Sequence, residues 1–289
     1  MAAIRVVIWR QQREIGWEMI EIVPEVSMKH RVTSRIIEFV AAYPKEYAVR
    51  TQWGTPIVGF ADASDPIFRM LSSVASPTHA VPQDFLAGAK TVIAFFIPFS
   101  KDMTRTNIKD RNCSKDWAAA YVETNELIRQ ISMDLNEFFM AEDLQAVMIP
   151  ATHNWDEEKL ISDWSHRHVA YIAGIGNFGK NNMLITDQGC CGRLGSFITS
   201  AVIEPDKRDT RESCLYKYDG SCQKCVDRCV NTALDPDGFN RFKCYDMLLE
   251  NEKIHRSVGY ADVCGKCLVA VPCAHMDPVK GKLRAKQRK

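Results

Sequence analysis

The sequence lacks the segments that would carry it into or across a membrane. Its opening, MAAIRVVIWRQQREIGW, has no apolar core long enough for a signal peptide, because Arg10, Arg13 and Glu14 interrupt it. The longest apolar run, Thr91 to Phe99, falls far short of the roughly 20 residues that span a bilayer and reads as a buried strand. There is no excess of charge of one sign either. The formal net charge is +1, so no whole-molecule field draws the chain to nucleic acid or to a lipid surface. No repeat of the solenoid kind is present. These absences lead to the expectation of a soluble, cytoplasmic protein without a membrane partner. At 289 residues it has room for one large domain or two ordinary ones.

What the chain has in quantity is cysteine. There are 11, and eight of them fall between Cys214 and Cys273, while Cys113, Cys190 and Cys191 stand apart. In a reducing cytosol such crowding argues for metal and against a disulfide framework. The eight form two sets, Cys214, Cys222, Cys225, Cys229 and then Cys244, Cys264, Cys267, Cys273. Each set holds a two-residue gap (Cys222-Gln-Lys-Cys225 and Cys264-Gly-Lys-Cys267), which lets two thiolates of one turn reach neighbouring irons of a cubane. In two-cluster ferredoxins the fourth cysteine of each run serves the other cluster. That rule predicts one 4Fe–4S cluster on Cys214, Cys222, Cys225 and Cys273, and a second on Cys229, Cys244, Cys264 and Cys267. The spacing departs from the ferredoxin pattern in three ways: Val230 follows the fourth cysteine where proline is usual, the first gap is long, and LVAVP separates the last pair. Lys224, Arg228, Lys243 and Lys266 are interleaved with the ligands and could offset cluster charge. Two tetrahedral zinc sites of four cysteines are the rival reading, making the chain a zinc-stabilised binding module.

Ahead of the cysteines, strand and helix signals alternate. Helices are expected at Val32 to Tyr43 (closed by Pro44), Pro66 to Val74, Trp117 to Met140 and Glu157 to Ala173, and strands at Ile57 to Ala61, Ala89 to Pro98, Ala146 to Pro150, Met183 to Thr186 and Ser196 to Ile203. Residues 1–30 are not assigned. The polar stretch EPDKRDTRES reads as a linker, so the expected organisation is a core at 1–206, a cysteine domain at 207–279 and a basic tail without periodicity at 280–289. AGIGNFGKN, Ala173 to Asn181, has glycines at dinucleotide-fingerprint spacing and most of a P-loop. However, a helix precedes it, a strand follows, and Asn181 stands where the magnesium-binding hydroxyl belongs. A helix C-cap followed by a close-approach loop is the better account.

Several stretches resemble one family. WSHRHVAYIAGIGNFGKNNMLIT, GRLGSFITSAVIEPD, DGSCQKCVDRCVNTAL and VCGKCLVAVPC, with AGAKTVIAFFIPF and AAYVETNELI before them, are similar to the epoxyqueuosine reductase group of iron–sulfur proteins, over about residues 55–276. The resemblance implies an α+β fold: a nitroreductase-like core followed by a ferredoxin-like module with two 4Fe–4S clusters. It also implies cobalamin, in a pocket lined by the Gly174 to Asn181 loop (Gly174, Gly176, Gly179, Lys180, Asn181) and the Gly192 to Phe197 turn (Gly195, Ser196). The implied activity is reduction of a small-molecule or modified-nucleoside substrate, with tRNA as a possible carrier of it and a ferredoxin or flavodoxin as donor. Where that group has an Asp-rich stretch with a proton-donating aspartate, this chain has Ser162-Asp163-Trp164-Ser165-His166-Arg167-His168, and it ends soon after the second cysteine set.

Reduction of a carbon substrate consumes protons, so His166, His168 and Asp163 are the candidate donors. On a helix the two histidines lie about 200° apart, so one at most is expected to face a given pocket, and Asp163 with Arg167 reads as a helix ion pair. Cys190 and Cys191 read as buried small residues and Cys113 is unassigned. The alternative of another class is an electron-transfer protein without substrate chemistry, which would carry clusters but no large pocket.

Overall fold

The computed structural model describes residues 6–12, 16–22 and 26–287. In chain order the elements are β1 (Val6–Gln12), β2 (Gly16–Ile22), α1 (Met28–Glu46), β3 (Ile57–Asp62), α2 (Ile67–Val74), α3 (Pro82–Phe85), β4 (Thr91–Pro98), α4 (Lys101–Thr106), α5 (Lys115–Ala141), β5 (Ala146–Met148), α6 (His166–Ile172), β6 (Gly176–Phe178), β7 (Leu184–Thr186), β8 (Gly192–Thr199), α7 (Leu215–Asp219), α8 (Lys224–Asp227), α9 (Arg241–His255) and α10 (Pro278–Gln287). No described helix is long and apolar enough to cross a membrane.

The apolar run foreseen as a buried strand is β4, and all eight of its residues are buried. It lies inside an antiparallel sheet of order β3-β4-β8-β5, with Ile93 opposite Phe197 and Ala94 opposite Ser196. Side chains alternate across a strand, so β4 feeds two cores. Ile93, Phe95 and Ile97 pack with Val32, Ile36 and Val40 of α1 and with Leu127, Ile131 and Phe139 of α5. Val92, Ala94 and Phe96 pack with Phe68 and Leu71 of α2 and with Val169, Ala170 and Ile172 of α6. The result is a mixed α and β fold with helices on both faces of one sheet.

Helix α5 has 27 residues, about 40 Å at 1.5 Å per residue, and it serves two cores. Its later turns cover the sheet, while Trp117, Ala118 and Ala120 near its start join a third core with Phe99, Cys190, Cys191, Leu268 and Val269. The cysteine segments therefore pack on the early part of α5. The loop after α4 clamps them: Asn107 Nδ2 donates to Cys264 O at 2.8 Å, and Arg228 Nη2 donates to Ile108 O at 2.9 Å.

Four expectations need correction. Helix α1 runs through Pro44 to Glu46, because Tyr43 accepts from Tyr47 N at 3.0 Å and stacks on the Tyr47 ring. The helix expected from Glu157 begins only at His166; before it, Asp156 and Ile161 bridge and the Asp156 carboxylate caps the Glu158 and Lys159 amides. The strand expected at Ser196 to Ile203 is β8, which starts at Gly192 and so replaces the expected turn at Gly192 to Phe197. The tail is helical: α10 is held by ion pairs from Lys280 to Asp187 and from Lys282 to Asp219. The polar linker is likewise pinned. Asp206 accepts from Phe60 N at 3.0 Å, and Arg208 pairs with Asp65 at 2.5 Å. Of residues 1–30, left unassigned by sequence, the described part contains an antiparallel hairpin in which Val6 pairs with Ile22.

Candidate functional site

The eight clustered cysteines gather into two groups that cross the sequence order. Cys214, the N-cap of α7, lines a cavity of about 330 Å³ with Cys222, Cys225 and Cys273. Cys229, Cys244, Cys264 and Cys267 line a second, of about 1280 Å³. Burial pushes the Cys225 thiol up to about 12, and the neighbouring Cys273, Cys214 and Cys222 push the same way. Burial also takes Cys244 to about 11, helped by Cys264 and Cys229 and opposed by the Arg167 guanidinium. Cys267 is raised by burial and then by Cys264, Cys244 and Cys229. Among the described residues, no three His, Cys, Asp or Glu side chains converge as a single ion requires. Four thiolates at about 2.3 Å from one zinc would have to converge so.

Local backbone explains the groupings. Gly265, between the cysteines of the second short gap, has φ +71, and a Cβ there would stand 2.3 Å from the Trp117 ring. Only glycine tolerates both conditions. The Ala233 and Leu234 amides point at Cys229 Sγ, at 3.2 and 3.3 Å. The turn before β8 braces the last cysteine, since Cys190 N donates to Cys273 O at 2.9 Å and Cys191 N to Ala274 O at 3.1 Å. Cys190 Sγ lies 4.0 Å from Cys273 Sγ. Of the four interleaved cations, Lys224 and Lys243 are exposed and Arg228 is half-buried. Lys266 is 1% exposed, and its ammonium donates to Asn107 O at 2.9 Å and Lys109 O at 2.5 Å beside Cys264 and Cys113.

A third cavity, of about 1850 Å³ and open to solvent, adjoins the second. The two share Arg167, Asn182, Met183, Gly192, Arg193 and Phe239. Both histidines line it, contrary to the helical-wheel expectation, because they occupy the first turn of α6 and the cavity wraps that end. Their chemistry differs. Trp164 Nε1 donates to Ser196 Oγ at 2.9 Å, and Ser196 Oγ is 2.8 Å from His166 Nδ1. His166 Nε2 is 2.9 Å from Pro150 O, and a carbonyl only accepts, so Nε2 carries the proton and Nδ1 accepts. Both nitrogens are thus committed, and burial lowers this imidazole to about 4. His168 spends Nδ1 on Ser165 Oγ at 2.7 Å, its ring lies 4.7 Å from that of Phe178, and no described residue bonds its Nε2. It too is lowered to about 4, by burial and then by Arg167. Asp163 is elsewhere: its carboxylate accepts from Asn154 Nδ2 at 2.7 Å and lies 2.6 Å from His153 Nδ1, outside the cavity lining. The ion pair expected with Arg167 does not form, because Asp163 precedes the helix and Arg167 donates to Asn182 O.

The glycine loop divides by role. A Cβ at Gly174, φ +75, would stand 2.9 Å from Lys207 O, one at Gly176 would stand 2.3 Å from Ile185 O, and one at Gly195 would enter the Phe95 ring at 2.4 Å. These three glycines serve close packing and do not line the large cavity. Gly179, Lys180 and Asn181 line the first cysteine cavity instead, and Lys180 Nζ donates to Pro236 O at 2.6 Å. Ser196 belongs to the buried Trp164–His166 relay.

With this geometry in view, similarity to known proteins is informative. Over 179 residues the chain is 28% identical to the epoxyqueuosine reductase of Bacillus anthracis, and over 185 residues 29% identical to that of Bacillus subtilis strain 168. A stretch of 90 residues is 37% identical to the Staphylococcus aureus enzyme. The chain resembles the epoxyqueuosine reductases. The first two alignments take in 59% and 60% of this chain but 43% of each relative, so the match spans less than half the relatives' length. Two solved epoxyqueuosine reductases, one from Bacillus subtilis and one with an epoxyqueuosine-modified tRNA stem loop, each superpose with a TM-score of 0.51 and 21% identity, covering 84% of this chain and 66% of theirs. At that identity the likeness speaks for the fold. No protein-family model matches the chain.

Sequence reasoning missed two contributors to the large cavity of this epoxyqueuosine reductase-like chain. Cys190 lines the large cavity while touching Cys273, and the only hint was its place beside Cys191 just ahead of a strand. Arg193 also went unnoticed; its guanidinium lies 4.1 Å over the Tyr121 ring.

Proposed function

We propose that the chain is an iron–sulfur oxidoreductase of the epoxyqueuosine reductase type. In this reading Cys214, Cys222, Cys225 and Cys273 hold one 4Fe–4S cluster and Cys229, Cys244, Cys264 and Cys267 the other. The donor set fits: four thiols per cavity, buried at Cys214 and Cys225 and half-buried at the other six, suit a cubane, whose irons each take one thiolate. The clusters supply one-electron steps, and cobalamin, when bound, a strongly reducing cobalt centre. The residues available to hold the corrinoid line the third cavity, among them Phe178, Met183, Leu184, Gly192 and Leu194. Leaving out the open solvent at its mouth, that cavity has room for about 690 Å³, within the roughly 300–1,000 Å³ of small-ligand sites.

The observation that carries the reading is the sequence of three spaces. Asn181 is common to the two cysteine cavities, and six residues are common to the second cysteine cavity and the large one. An electron path through both cysteine groups ends where a substrate could sit. An electron carrier without substrate chemistry has no use for that last space, so the carrier reading ranks second. Among the sequence-derived proton donors His168 is favoured, because its Nε2 is uncommitted. His166 is a positioning residue for the Trp164–Ser196 relay. In this reading residues 1–206 form a nitroreductase-like core and 207–279 a ferredoxin-like module, the remainder forming the basic tail. A modified nucleoside or a small molecule is the substrate class, tRNA is a possible partner, and a ferredoxin or flavodoxin type donor fits the role of electron source.

The test is an anaerobic titration of the iron-loaded chain with cobalamin, followed by visible spectroscopy. Stoichiometric binding with a changed spectrum is expected. An iron-loaded chain that leaves cobalamin unbound would overturn the reductase reading in favour of the carrier.

A further inference from the structure

The large cavity is lined by three arginines, Arg167, Arg193 and Arg241, and by no aspartate or glutamate. None of the three forms an ion pair among the described residues. Arg167 Nη1 donates to Asn182 O at 2.8 Å, and Arg241 Nη1 reaches Lys159 O at 3.3 Å and Leu160 O at 3.5 Å. These acceptors are neutral carbonyls. Arg193 rests on the Tyr121 ring, and its buried Nε has no hydrogen-bond partner. The carboxylate nearest to it in effect, Asp262, lines the neighbouring cavity and is taken up by Tyr121 Oη at 2.6 Å. Burial lowers the hold of Arg167 on its proton, the Cys244 thiol opposes that, and Arg241 adds a like charge beside it. Both histidines of the lining are neutral near pH 7 and add no charge.

Unpaired guanidinium groups brought together in a partly enclosed space are unfavourable unless a counter-charge arrives. The planar forked donors of arginine match phosphate and carboxylate oxygens in pairs. Trp155 and Phe239, 39% and 44% exposed, also line this cavity and offer ring faces to a planar group.

We infer that the cavity binds an oxyanion, a phosphate or carboxylate group of its ligand, clasped between Arg167 and Arg241 with Arg193 behind them. This deepens the proposed reductase reading by naming a charged feature of what the same cavity takes. It rests on that reading only for the identity of the ligand. One source is the phosphodiester of cobalamin itself; the other is an anionic substrate.

The test uses the full, iron-loaded chain and inorganic pyrophosphate as probe, by isothermal titration calorimetry under anaerobic conditions. Saturable binding is expected, weakening as salt is raised, with Arg241→Gln and Arg167→Gln each weakening it roughly tenfold or more. Arg129→Gln, on an exposed arginine paired with Glu126 on α5, should change nothing. Should a cavity variant fail to fold, arginine modification of the wild-type chain by phenylglyoxal gives the same information: pyrophosphate should shield Arg167 and Arg241 selectively. Competition by cobalamin but not by cobinamide, which lacks the phosphodiester, assigns the clasp to the cofactor; absence of competition assigns it to the substrate. Both support the inference. Absence of saturable binding, or binding and shielding indifferent to these arginines, overturns it. A chain that ignores cobalamin yet binds pyrophosphate at Arg241 keeps the inference and loses the corrinoid reading.

Discussion

Replacing Gly265 by alanine should damage the second cysteine group through two separable effects. The residue sits at φ +71, where an L side chain costs about 1–2 kcal/mol. Its Cβ would also lie 2.3 Å from the ring of Trp117, which is 2% exposed and meets Phe99 edge to face. A well-packed indole yields only by shifting its neighbours, and overpacking of this kind costs about 1–3 kcal/mol. The sum, about 2–5 kcal/mol, is a large share of the 5–15 kcal/mol that holds a typical domain together. Anaerobic guanidinium unfolding followed by far-ultraviolet circular dichroism should show a lower midpoint for Gly265→Ala, and iron analysis a loss concentrated in the second group. Adding Trp117→Leu makes room for the methyl but leaves the φ penalty. The double variant should therefore be less destabilised than the two single losses added together, by about 1–3 kcal/mol. A Gly265→Ala midpoint equal to the wild type, or strict additivity with Trp117→Leu, would refute the contact.

Other perturbations test other parts of the site. Ser196→Ala removes the partner of both Trp164 Nε1 and His166 Nδ1 in a buried relay, so a loss of about 1–3 kcal/mol is expected from the same unfolding assay. His166 is depressed from 6.5 to about 4 in the folded chain, so the folded state refuses a proton that the unfolded state accepts. Its contribution is complete above about pH 6.5 and is lost as pH falls toward about 4. The pH-dependent gap between wild type and His166→Asn midpoints should close over that window, and a gap independent of pH would contradict the neutral assignment. Lys266→Met removes an enclosed positive charge beside Cys264, so potentiometry followed by electron paramagnetic resonance should find the second cluster harder to reduce and the first unchanged.

Much of the sheet was legible because period-two and period-3.6 patterns report burial directly. The run from Thr91 to Pro98 could only be a strand buried on both faces, and the stripe Leu127, Ile131, Leu135 along α5 could only face a core. The crossed cysteine grouping was expected from the two-cluster ferredoxin rule, and the two cavities divide the eight cysteines the same way. The large cavity was harder to foresee. Its wall joins the first turn of α6, the start of β8 and the start of α9, which are remote in sequence. Helical geometry misled at His166 and His168, since a wheel assumes an interior helix, whereas these residues sit at an end that the cavity surrounds. Asp163 was misread for a related reason. It follows a tight turn closed by Asp156 and Ile161, a local hydrogen-bonding choice that periodicity does not register.

The central claim is that two crossed sets of four cysteines each hold a 4Fe–4S cluster. The most direct test is anaerobic analysis of iron, acid-labile sulfide and zinc in the wild type, Cys225→Ser and Cys267→Ser. About eight iron and eight sulfide per chain are expected for the wild type. Each variant should keep about four of each, with a different cluster signal surviving in each. Zinc in place of iron, or two variants that lose the same signal, would contradict the account.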